Sequence, residues 1–109
     1  MLRIYPVLLE LVRSVKPLVQ ELERRDPDLA RQCRRALASG PLNMAEGSYS
    51  RGKNRAARYH NAVGSMREVL ACFEVAAALG YLPEVDAALR NRFDHVIGTL
   101  VRLVGLSVK

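Results

Sequence analysis

The sequence predicts an all-α protein, an antiparallel up-down four-helix bundle formed by one domain over residues 1–109. Three observations predict it. Good helix formers dominate long stretches, with no Trp and few strand-like alternations. Apolar residues recur at alternating steps of three and four in four separate segments. Between those segments stand Asp, Gly and Pro in the positions that start and stop helices.

The first segment, about Pro6 to Arg25, follows the stripe Ile4, Leu8, Leu11, Val15, Leu18 and Leu22. Pro6 suits a first turn, whereas Pro17 predicts a kink, because it removes a donor and its ring crowds the preceding turn. Arg24 and Arg25 sit where cations favour the helix dipole. "RDPDLARQ" opens the second helix, with Asp26 as N-cap and Pro27 at the first helical position. Its stripe is Leu29, Cys33, Ala36, Gly40 and Met44, with a bend at Ser39-Gly40-Pro41 and Gly47 as the closing C-cap.

After the connection "GSYSRGKN" comes the longest helix, about Lys53 to Leu79, with Tyr59, Val63, Met66, Leu70, Phe73 and Ala77 on its core side. Ala57, Asn61, Gly64, Ser65 and Glu68 form a second, mostly small face that would admit a close neighbour. Gly80 ends this helix. The fourth, Pro83 to about Ser107, carries Leu89, Phe93, Val96, Leu100 and Leu103.

Two helices carry more apolar surface than one core needs. A second stripe, Tyr5, Leu9, Val12 and Val19, lies on the first, and Ile97, Val101, Val104 and Val108 on the fourth. A helix that is apolar on two sides needs a further partner, so self-association through these residues is expected. The other reading is a broad core that absorbs both stripes.

The net charge of +6 is unevenly placed. Residues 24–67 hold ten Lys and Arg against three Asp and Glu, and the rest of the chain is slightly acidic. Arg31, Arg34 and Arg35 share one face of the second helix, and Arg51, Arg55 and Arg58 form a stripe at the start of the third, joined by Lys53. Such a patch suits phosphate contacts that carry no sequence information; the alternative is a solvated face. Tyr49 and Tyr59 offer rings for stacking, although Tyr59 fits the core stripe better. Glu46, the lone acid of the corner, is expected to pair with a nearby Arg and pin the turn.

Nothing nominates catalysis. His60 and His95 lack nucleophile or carboxylate partners at a telling spacing, and no paired-carboxylate, HExxH, CxxC, GxSxG or P-loop pattern occurs. No enzyme, metal or cofactor is expected. Cys33 and Cys72 read as reduced core residues, which points to the cytoplasm. Charges interrupt every apolar run, so neither a signal peptide nor a membrane span is expected.

The stretch "SGPLNMAEGSYSRGKNRAARYHNAVGSMREVLACFEVAAALGYL" resembles the four-helix-bundle family named for the 23S rRNA intervening-sequence protein. The resemblance rests on Ser39, Pro41, Asn43, Ala45, Glu46 and Gly47, then Arg51, Lys53, Tyr59, Gly64, Ser65 and Glu68, then Leu79 to Leu82. Met44 stands where the family has Ile. The resemblance implies a left-handed bundle and ring-like homo-oligomers, commonly pentamers, with Asn43, Glu46 and Gly47 as a structural motif. It also implies two partner classes, taken from a related branch, the accessory variability determinant of diversity-generating retroelements: RNA or DNA on the basic surface, or a protein such as a reverse transcriptase. A purely structural oligomer is the third expectation.

Overall fold

The computed structural model describes residues 2–108. Four helices account for nearly all of it: α1 (Ile4–Arg25), α2 (Pro27–Ser48), α3 (Gly52–Ala78) and α4 (Ala87–Ser107). Their connections are one, three and eight residues long. Links this short between packed helices reverse the chain direction each time, giving the antiparallel bundle. The body measures 44 × 25 × 20 Å. Its length matches the roughly 40 Å that a helix the size of α3 spans at about 1.5 Å per residue.

The caps follow from local chemistry. The Asp26 Oδ1 accepts the Leu29 N–H at 3.1 Å, with Pro27 at the start of α2. One residue therefore ends α1 and begins α2. The C-terminus of α3 closes with two bonds, Gly80 N–H to Ala77 C=O at 3.0 Å and Tyr81 N–H to Ala76 C=O at 2.8 Å. Gly80 supplies the left-handed φ of +78° that this ending needs.

Four expectations are corrected. Gly47 lies inside α2 and its φ is not positive; the helix runs on to Ser48, with Tyr49 as C-cap. The fourth helix starts at Ala87 rather than Pro83, because the Asp86 carboxylate caps the Leu89 N–H at 2.8 Å and Pro83 to Val85 stay in the connection. The small residues that α3 buries are Ala56, Ala62, Cys72 and Ala76, while Ala57, Asn61, Gly64 and Glu68 are exposed and Ser65 is half-buried. Val19 lies in the core of its own chain at 5% exposure, not on an outer stripe. α1 is continuous through Pro17 and α2 through Gly40 and Pro41.

The core runs the length of the bundle through Leu8, Leu11, Val15 and Leu22 of α1, Cys33 and Met44 of α2, Val63, Met66 and Phe73 of α3, and Phe93, Val96 and Leu100 of α4. Phe73 meets Phe93 edge to face, with ring centroids 6.3 Å apart. The α2–α3 pair packs most extensively, and α1 and α4 close the bundle most sparsely. Polar ties join the neighbours: Arg34 to Glu23 at 3.0 Å (α1–α2), Arg90 to Glu74 at 3.2 Å (α3–α4), and the Arg92 Nη1 to the Ser14 Oγ at 2.8 Å (α1–α4).

Candidate nucleic-acid interface

Two glycines set how closely α2 approaches α3. A Cβ on Gly40 would stand 2.5 Å from the Met66 sulfur, and one on Gly47 would stand 2.5 Å from the Tyr59 ring. Above Gly40, the Asn43 Nδ2 donates to the Ser39 carbonyl at 2.9 Å and to the Ser39 Oγ at 3.0 Å. The Ser39 Oγ in turn accepts from the Ser65 Oγ at 2.9 Å, tying the helices by a polar thread.

Along this contact the surface forms three adjoining depressions. One is lined by Gln32, Arg35, Ser39, Ser65 and Glu68. The next shares Arg35 and Ser39 and adds Leu42, Asn43, Glu46 and Arg58. The third shares Arg58 and is completed by Ser50, Asn54, Ala57 and Asn61. The result is a groove, polar at its two ends and apolar around Leu42 in its middle, that leads from mid-bundle to the α2–α3 corner, where Tyr49, Arg51 and Lys53 are exposed.

The seven cations singled out by sequence divide into three kinds. Arg35, Arg51 and Lys53 are exposed and make no ion pair among the described residues. Arg31, Arg34 and Arg58 are also exposed but paired: Arg31 with Asp28 at 3.2 Å, Arg34 with Glu23 at 3.0 Å, and Arg58 with Glu46 at 3.1 Å. In water such pairs hold their partners by no more than about 1 kcal/mol, so the cations are not locked away. Arg55 is different. Its Nε donates to the Gly47 carbonyl at 3.1 Å and its Nη2 to the Ser48 carbonyl at 3.4 Å, closing the carboxyl end of α2. It is half-buried and structural.

The run Arg34-Arg35 also splits. Arg34 turns to α1, where it borders a groove floored by Val12, Val19 and Leu37, whereas Arg35 lines the α2–α3 groove. Sequence inspection overlooked Arg55 as a cap, and Ser39, Ser65 and Asn61 as groove walls. The spacing of Asn43 to Ser39 was the available signal, since a side chain can reach back to the residue four positions before it.

The thiols are not reactive groups. Both are free and buried. Burial, reinforced by the neighbouring Cys72, pushes the Cys33 thiol up to about 12. Burial and then the Glu68 charge raise Cys72 as well. Neutral thiols are poor nucleophiles. Burial also raises the Tyr59 phenol, against an opposing pull from Arg55. Among the described residues no group of three or more His, Cys, Asp or Glu could hold a metal ion, and no helix is long and apolar enough to cross a membrane.

The family model described as 23S rRNA-intervening sequence protein matches residues 1–102 of this chain. Comparison with curated proteins and with solved structures finds no match.

Proposed function

The chain belongs to the 23S rRNA-intervening sequence protein family, and from that premise we propose a small, non-enzymatic, self-associating helical protein. Its α2–α3 face binds RNA or DNA through the phosphate backbone, largely without sequence specificity. The observation that carries this reading is the trio Arg35, Arg51 and Lys53, cations with no ion pair among the described residues, set along and at the end of a groove walled mainly by Ser, Asn and Arg, with two acids, Glu46 (held by Arg58) and Glu68. Lys53 lies in the first turn of α3, which holds no acid, so the positive end of a 27-residue helix adds to the same field. Groups of this kind position a polyanion by charge and hydrogen bonding and do not read base identity.

The test is a titration of labelled RNA and DNA oligomers with protein freed of co-purified nucleic acid. Expected is binding that weakens as salt rises and is abolished by Arg35→Glu with Arg51→Glu and Lys53→Glu, helicity being retained. Absence of binding at low salt would rule the proposal out. Arg55 is left intact in this design because it holds the corner, and Arg58 because it is paired with Glu46.

A further inference from the structure

We propose that Tyr49 is a stacking platform for an unpaired base, so that the basic corner selects single-stranded over duplex nucleic acid. The inference rests on the nucleic-acid reading above and narrows its ligand class.

Tyr49 is 84% exposed, more than any other large hydrophobic side chain described, whereas Tyr59 is buried and Tyr5 and Tyr81 are half-buried. An exposed ring on a loose loop would mean little, but this one stands on a fixed backbone. Tyr49 is the C-cap of α2, and its N–H bonds to the Glu46 carbonyl at 3.1 Å. Ser50 is held on one side, its N–H to the Gly47 carbonyl at 3.1 Å and its Oγ to the Glu46 carbonyl at 2.9 Å. On the other, the Arg55 guanidinium ties down the Gly47 and Ser48 carbonyls. A ring presented this way forfeits little backbone freedom when it takes up a ligand.

Its surroundings suit a base attached to a phosphate chain. Arg51 and Lys53 follow at two and four positions, exposed and without ion pairs among the described residues. Between them Gly52 takes a φ of +54° and faces open space, with nothing within 4 Å of an added Cβ. The depression lined by Ser50, Asn54, Arg58 and Asn61 begins at the residue that follows Tyr49 in the chain. Cations alone do not favour the single strand, since the duplex carries the denser charge, so any preference for the single strand has to come from the ring. A ring face adds something only when a base is free to lie on it, and in a duplex the base faces are already covered by their neighbours. Ring and cations together therefore favour the single strand. A second copy of this same corner is a poor occupant, because it would bring Arg51 and Lys53 against their own like charges.

The test is fluorescence anisotropy at one fixed salt concentration with two probes, a labelled oligothymidylate and a labelled duplex of equal length. Wild type, Tyr49→Ala and Tyr49→Phe are compared after circular dichroism shows equal helicity. Expected is tighter single-strand binding by wild type, a roughly tenfold loss on the single strand in Tyr49→Ala, little change on the duplex, and wild-type behaviour in Tyr49→Phe, which keeps the ring face. Equal affinity of wild type for the two probes overturns the platform, as does a Tyr49→Ala variant that binds the single strand unchanged or loses both probes alike. In those cases the wider nucleic-acid reading stands. Failure of wild type to bind either probe removes that reading, and the platform with it.

Discussion

Gly47 shows how a single missing methyl sets the α2–α3 distance. An added Cβ would lie 2.5–2.6 Å from two carbons of the Tyr59 ring, which is itself 2% exposed and flanked by the core. Alanine normally gains roughly 1 kcal/mol over glycine inside a helix. Here a rigid ring must move, so Gly47→Ala is expected to destabilise the protein by about 1–3 kcal/mol despite that gain. Gly40 offers the contrast. Its added Cβ would meet the Met66 sulfur, part of a flexible but fully buried thioether that has to repack, so Gly40→Ala is expected to destabilise by less than Gly47→Ala, about 1 kcal/mol or under. Urea unfolding of the two variants checks the pair, and a Gly47→Ala variant as stable as wild type would refute the close-contact role. The sequence showed glycine near a helix end, which reads as a terminator. Its real reason depends on the position of a ring on another helix, and the periodicity of α2 alone does not contain that.

At the scale of elements, boundaries were legible where one residue's chemistry decides them. Asp26-Pro27 and Gly80 acted as their side chain, fixed φ and freedom of φ require. The start of α4 was less legible because two signals competed, Pro83 and, three residues later, the capping carboxylate of Asp86. The stripes of α1 and α4 matched at Ile4, Leu8, Leu11, Val15 and Leu22 and at Phe93, Val96 and Leu100, with Val19 buried in place of Leu18, but α3 is buried over a wider arc that includes Ala56, Ala62 and Ala76, alanines that spacing does not distinguish from exposed ones. The basic stripe of α3 divides for a related reason. Arg51, Arg55 and Arg58 follow at helical steps of four and three in sequence, yet the tight corner carries only Arg55 onto the end of α2. Arg55→Ala is expected to lower stability by about 1–2 kcal/mol, because it frees helix-end carbonyls from a charged donor. Arg51→Ala and Lys53→Ala are expected to stay within about 0.5 kcal/mol of wild type. Thermal unfolding measures all three, and equal melting temperatures would remove the capping role.

Across the whole molecule, the apolar surplus noted on α1 and α4 is only partly absorbed. Tyr5, Val12, Ile97 and Val104 pack against the core at half exposure, and Leu9 is also half-exposed. Val101 and Val108 remain open at 45% and 58%, Leu106 is exposed between them in sequence, and Val7 is exposed on α1. The seam between α1 and α4 is also the most sparsely packed of the four. Self-association through this side is the proposed outcome. Sedimentation is expected to give a mass that is a multiple of the 12.1 kDa chain. Val101→Lys combined with Val108→Lys is expected to shift it to a single chain with helicity kept; a single-chain mass for wild type would end the proposal. A subunit number for such an assembly is not legible from one chain, because it would depend on the angle between copies rather than on any stripe.

The claim on which the functional account depends is that Arg35, Arg51 and Lys53 neutralise phosphates. It is tested most directly by the slope of log affinity against log salt for a labelled single strand, compared between wild type and the variant carrying Arg35→Ala, Arg51→Ala and Lys53→Ala. On a single strand each cation that neutralises a phosphate contributes about 0.7 unit of slope per chain engaged, so the variant is expected to be shallower by about two. Parallel slopes, with the protein folded in both, would contradict the account and leave this basic face as solvated surface.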